Sequence, residues 1–112
     1  MSSLILATLV LVAPKYDYLF TISVDGFLKV WRKVQGGIEF VKSFRAHTSR
    51  ISDSALSSNE LRLATVATKD QSLKIFDVAN FDLMHMIKLK FAPELCEFIN
   101  KQSAFGILLA VT

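Results

Sequence analysis

His47 and Asp70, with serines and threonines around them, are the residues whose types could do chemistry together. An imidazole oriented by a carboxylate can activate a hydroxyl nucleophile. Neither a nucleophile elbow nor a glycine cluster able to form an oxyanion hole accompanies them, so the pair reads as structural hydrogen bonding rather than catalysis. Cys96 is the single cysteine, which excludes an intramolecular disulfide and a cysteine-cluster zinc site. Flanked by Leu95 and Phe98, with no cationic cluster beside it, Cys96 reads as a buried, inert thiol. His85, between Met84 and Met86, reads as an ordinary strand position. With two histidines and one cysteine, no metal site is expected, and no catalytic residue or cofactor either.

The elements that must position these residues are strands. The chain has 112 residues, 52% of them hydrophobic and nine of them Phe, a composition that excludes a disordered chain. Thirteen Lys and Arg against ten Asp and Glu leave a net charge of +3 with no block of like charge, weak evidence for a nucleic-acid partner. Lys42, Arg45, Arg50 and Arg62 surround a loop region that could meet an acidic partner or RNA, but the ordinary reading is a solvated rim. Phe40, Phe44, Phe76, Phe81, Phe91 and Phe98 recur at sheet spacing and read as packing between layers rather than base stacking. The apolar stretch Leu4 to Ala13 is too short to cross a bilayer as a helix, and no Lys or Arg precedes it as a secretory leader requires. It reads as a buried strand; the alternative is a secreted form beginning at Pro14.

A repeat organises the chain. Asp25-Gly26-Phe27-Leu28-Lys29-Val30-Trp31 and Asp70-Gln71-Ser72-Leu73-Lys74-Ile75-Phe76 share the pattern Asp-x-x-Leu-Lys-(Val/Ile)-(Trp/Phe) at an offset of 45 residues. Each copy is a hairpin signal: a β-rich run, a tight turn at Asp-Gly or Asp-Gln, then apolar and polar residues in alternation. Leu28, Val30, Leu73 and Ile75 fall on one side of their strands, with Lys29 and Lys74 on the other. Further strands follow at Ile38–Lys42 and Leu83–Lys88, and another precedes the second copy near Ile51–Leu56. Four short strands per repeat, joined by short turns, is the pattern of a propeller blade.

These residues resemble the WD-repeat family, whose unit runs from a Gly-His dipeptide through a turn aspartate to a closing Trp-Asp. The second unit has Ala46-His47, Asp70 and Phe76-Asp77; the first has Asp25 and Trp31 but closes on Arg32. The resemblance implies a hydrogen-bonded tetrad of indole, hydroxyl, imidazole and turn carboxylate. Its positions are Thr21, Asp25 and Trp31 in the first unit and His47, Asp70 and Phe76 in the second. Aligned on the aspartates, the second hydroxyl position falls on Val66, so an apolar pair, Val66 with Phe76, is expected to replace the missing donor and acceptor together.

The runs Gly37–His47 and Leu73–Asp82, and Cys96-Glu97-Phe98-Ile99, are similar to the N-terminal propeller of the nuclear WD-repeat cyclophilins. The resemblance covers residues 14–112 and implies an all-β partial propeller of about two and a half four-stranded antiparallel blades. Blade one runs to about residue 44, blade two over about 45–90 and a partial blade three over about 91–112, with residues 1–13 a divergent N-terminal strand from an alternative start, an alternative exon or a gene-model error. In that family the isomerase belongs to a separate cyclophilin domain, so the implied function of this chain is a non-catalytic protein–protein interaction module. The setting implied is nuclear and spliceosomal, with protein partners, no direct RNA contact and no membrane. The alternative is an incomplete piece of a peptidyl-prolyl isomerase whose catalytic domain is missing. Open blade edges would favour self-association.

Overall fold

The computed structural model describes residues 7–103 and 106–112, with side chains described for 10–99 and 111–112. Ten strands follow one another: β1 (Ala7–Ala13), β2 (Tyr18–Ser23), β3 (Phe27–Val34), β4 (Gly37–Arg45), β5 (Asp53–Leu56), β6 (Arg62–Ala67), β7 (Ser72–Asp77), β8 (Asp82–Lys88), β9 (Cys96–Ser103) and β10 (Gly106–Val111). They form two four-stranded meanders, β1-β2-β3-β4 and β5-β6-β7-β8, and the pair β10-β9, all antiparallel. Among the described residues there is no α-helix. The strand expected over Leu4–Ala13 is observed as Ala7–Ala13, and residues 4–6 lie outside the described residues. Of the last expected strand, Ala104 and Phe105 also lie outside them.

The two meanders lie side by side, with β1 beside β5 and β5 beside β9. Alternation along each strand sends one face to one neighbour and the opposite face to the other. Phe20, Ile22, Leu28, Val30 and Ala13 of the first sheet meet Ile51, Leu63, Phe76 and Val78 of the second in one core. Ala64, Val66 and Leu73, on the other face of the second sheet, pack against Cys96 and Phe98 of the third. The aromatic residues divide accordingly. The Phe44 and Phe76 rings meet across the first inter-sheet layer at 5.4 Å, and Tyr18 meets Phe81 edge-on at 4.8 Å. Phe40 instead packs on Trp31 within its own sheet and stays half exposed, and Phe91 is exposed.

Two turns set the geometry. Gly26, after β2, and Gln71, after β6, both take the left-handed conformation (φ 87° and 51°) that closes each hairpin. Gly26 is also pressed against the connection between the sheets: its carbonyl accepts from the His47 N–H, and a Cβ placed on it would stand 2.1 Å from the His47 carbonyl oxygen. Only glycine combines that φ with that approach.

Candidate functional site

The connection from β4 to β5 delivers His47 into the layer between the two sheets, where the residue is 1% exposed. Its Nδ1 lies 3.2 Å from Asp70 Oδ2 and 3.0 Å from Ser72 Oγ, and its Nε2 lies 2.9 Å from Thr65 Oγ1. An ionised carboxylate only accepts, so Nδ1 carries the proton and Nε2 accepts from the Thr65 hydroxyl. Burial holds the imidazole below its ordinary pKa, opposed by the neighbouring Asp70 charge. The ring is therefore a neutral bridge between a strand hydroxyl and a turn carboxylate.

Asp70 belongs to the β6–β7 turn and clamps the connection that delivered the histidine. Its carboxylate accepts from the Thr48 N–H at 2.9 Å, the Thr48 hydroxyl at 2.8 Å and the Ser49 hydroxyl at 2.7 Å. Partial burial raises its pKa, but these donors and His47 outweigh it and bring the value down to about 2. The four lone pairs of the Asp70 carboxylate all face donors within the protein. Thr65 meets Nε2 as a triad hydroxyl would, but it is fully buried, so its oxygen faces no substrate.

The first sheet builds its counterpart differently. Trp31 Nε1 donates to Thr21 Oγ1 at 2.9 Å. Asp25 is separate from that pair, exposed, and bound by the Ser23 hydroxyl and the Phe27 N–H. The Ser23 hydrogen bond is the main cause that holds its pKa below the ordinary carboxylate value. Of the residues expected to act together, Thr21 meets Trp31 and His47 meets Asp70. Phe76 makes no polar contact and packs on Phe44.

The assignment of the second hydroxyl position to Val66 is corrected by the structure. Thr65 pairs with Lys74 as Thr21 pairs with Lys29, so Thr65 is the structural equivalent. The β6–β7 turn is one residue longer than the β2–β3 turn: Thr21 and Thr65 are 44 apart, whereas the aspartates are 45 apart. An alignment through the aspartates therefore slips the strand by one residue and turns its face. Val66 faces the third sheet instead. Nor is the hydroxyl lost with the indole: Thr65 exchanges the absent Trp donor for the His47 acceptor. Thr65→Val, which keeps the shape and removes the hydroxyl, is expected to lower stability by about 1–2 kcal/mol in urea titration by leaving Nε2 without its donor.

Ser72, Thr48 and Ser49 were not singled out by the sequence. Two of them directly follow the Ala46-His47 dipeptide, and that adjacency was the available signal. His85 lies on the exposed strand β8, and among the described residues no group of three or more His, Cys, Asp or Glu could hold a metal ion. Cys96 is 6% exposed, its thiol pushed up to about 12 by burial and by Asp53. It is expected to resist iodoacetamide at pH 8 in the native chain and to react when urea unfolds it, read by mass spectrometry.

The β-propeller domain of Myceliophteria thermophila Cps50 (Swd1) superposes with a TM-score of 0.72 at 16% identity, over 96% of this chain and 33% of that one. The RRP9 WD40 repeats superpose with a TM-score of 0.72 at 18% identity, over 88% of this chain and 30% of that one. The chain is thus a segment of a WD-repeat β-propeller. In sequence it is 44% identical over 88 residues to peptidylprolyl isomerase domain and WD repeat-containing protein 1 of mouse and of human, covering 79% of this chain and 14% of each relative. It is 43% identical over 98 residues to peptidyl-prolyl cis-trans isomerase cyp15 of Rhizopus delemar, covering 88% of this chain and 15% of that protein. The chain is homologous to these proteins over most of its own length and spans about one seventh of theirs. No protein-family model matches it.

Proposed function

We propose that this chain is a non-catalytic protein-interaction module of a nuclear, spliceosome-associated kind, contacting proteins rather than RNA or membrane. The observation that carries the reading is the closed His47–Asp70 network. The titratable pair best suited to chemistry is consumed in fastening one blade to the next, which leaves the exposed turns and edges for recognition. The isomerase activity named for the relatives needs groups that grip a proline ring and its flanking amide, and the residues of this network are bound to one another. In a protease-coupled proline-isomerisation assay the 112-residue chain is expected to leave the uncatalysed rate unchanged; catalysis in proportion to chain concentration would overturn the reading. Immobilised on beads in nuclear extract, the chain is expected to enrich spliceosomal proteins over a charge-matched control, with enrichment surviving nuclease treatment.

Self-association belongs to the same reading. Val10 and Val12 on β1, Ile38 and Phe40 on β4, and Leu83, Met86 and Ile87 on β8 are each more than 40% exposed. Apolar strands with open faces favour association. Size exclusion with light scattering is expected to report a mass above that of the monomer, and a well-folded monomer would count against it.

A further inference from the structure

We propose that the cleft between the first two blades, on the side of the β6–β7 turn, binds an anionic group carried on a peptide, either a phosphoryl group or clustered carboxylates. The cleft has a volume of about 460 Å³, and its walls come from both blades: Arg45 from the end of β4, Lys69 and Asp70 from the turn, Lys74 from β7, and Met86 and Lys88 from β8. Both complete sheets contribute, so the site is assembled by the contact described above and needs no further element. Four cations face it and one carboxylate.

That carboxylate is already occupied. Asp70 spends its oxygens on His47, Thr48 and Ser49, so it makes no direct ion pair with any of the four cations, and its single charge leaves an excess of positive charge in the cleft. Lys88 donates to the Asp70 carbonyl, and Arg45 lies over the Phe27 ring at 5.7 Å. Among the described residues, the side chains of Lys69 and Lys74 have no hydrogen-bonding or ion-pair partner, and the charge of Lys74 helps to keep His47 neutral. Three cations elsewhere are paired, Arg32 with Glu39, Lys42 with Asp82 and Arg62 with Asp77, so what distinguishes Lys69 and Lys74 is that they share one cleft with Arg45 and Lys88. Four cations converging on one cleft against a single carboxylate raise the local potential for an anion. A phosphoryl group or a carboxylate pair could meet Lys69 and Lys74 with charge-assisted hydrogen bonds. The apolar wall is Met86, 65% exposed; among the described residues no Phe, Tyr or Trp lines the cleft and the His47 ring is buried, so the platform on which bases stack is missing and a peptide is the better fit than RNA.

The proposal deepens the interaction-module reading and rests on it, yet the two can fail separately. Three fluorescein-labelled peptides that share a Gly-Ser background and carry a central phosphoserine, three glutamates or neither serve as probes for fluorescence anisotropy with the full chain. At least one anionic peptide is expected to bind, with affinity falling as salt rises, and the neutral peptide to bind at least tenfold more weakly. Binding of the phosphoserine peptide alone assigns a phosphoryl ligand; equal binding of both assigns an acidic segment. The double variant Lys69→Glu/Lys74→Glu is expected to weaken binding about tenfold or more, while Lys33→Glu, at the end of the β3–β4 hairpin opposite Arg45, changes it less than twofold. Circular dichroism establishes that each variant folds, and amide shifts of residues 69–74 on titration of the wild-type chain report the site without mutation. The proposal is overturned if no anionic peptide outbinds the neutral one, if Lys33→Glu weakens binding as much as the double variant, or if an RNA oligonucleotide displaces the peptide from those amides. If the double variant still captures nuclear partners from extract while the peptides do not bind, the cleft is wrong and the interaction module stands.

Discussion

Gly26→Ala is expected to be the most damaging single methyl that can be added to this chain. Its Cβ would lie 2.1 Å from the His47 carbonyl oxygen and 2.7 Å from that of Ser49, both backbone atoms that no rotamer change can move. The added atom also sits at φ +87°, where a side chain is strained by about 1 kcal/mol before any contact is counted. Overpacking against fixed backbone adds about 1–3 kcal/mol, so a loss of about 2–4 kcal/mol is expected, a large share of a small domain's stability. Gly36→Ala supplies the control. It has the same φ of +87° with nothing within 4 Å, so it should cost about 1 kcal/mol. Urea titrations of the two variants decide the matter: equal losses would mean that the left-handed turn alone matters and that the approach of the turn to the inter-blade connection does not.

The second large effect belongs to His47. Replacing it with Leu retains an apolar filling of similar bulk but removes both ring nitrogens, stranding the Thr65 hydroxyl in a fully buried position and taking one donor from Asp70. Unsatisfied buried groups cost about 1–3 kcal/mol each, so about 3 kcal/mol is expected from equilibrium unfolding.

The pH dependence follows from the same pair. The folded-state pKa of His47 lies below the ordinary imidazole value of 6.5, so the unfolded chain takes up the proton more readily. The contribution of the neutral ring is therefore complete above pH 6.5 and is lost as pH falls below it. Asp70 is depressed from 3.8 to about 2, so its contribution is complete above pH 3.8 and is lost as pH falls towards 2. Allowing for solvent screening, the Asp70 limb is worth about 1–2 kcal/mol. Stability should decline in two limbs on acidification, and His47→Leu should abolish the upper one. A wild-type stability flat between pH 7 and 4 would refute the buried neutral ring.

Much of the architecture was legible because strands announce themselves locally. The Asp-x-x-Leu-Lys repeat marked both hairpins, and the alternation around Lys29 and Lys74 marked their faces. The His47–Asp70 pairing was legible through the resemblance, 23 residues apart in sequence. The identity of its hydroxyl was not, because a single extra residue in one turn changes the register of the strand before it without disturbing the motif after it. The basic cluster was not legible either. Lys42, Arg45, Arg50 and Arg62 are grouped in sequence, yet Lys42 and Arg62 are drawn into ion pairs and only Arg45 reaches the cleft. Its companions Lys69, Lys74 and Lys88 come from a turn and two strands of the next blade.

By itself, then, the sequence determined the strands, the hairpin turns, the repeat and the donor types available for a network, since each depends on residues within one or two turns of one another. Only the tertiary structure decided which hydroxyl meets His47, that Gly26 must remain bare, and which cations share a cleft. Those outcomes depend on where two sheets touch, and the distance between sheets is set by packing rather than by position along the chain.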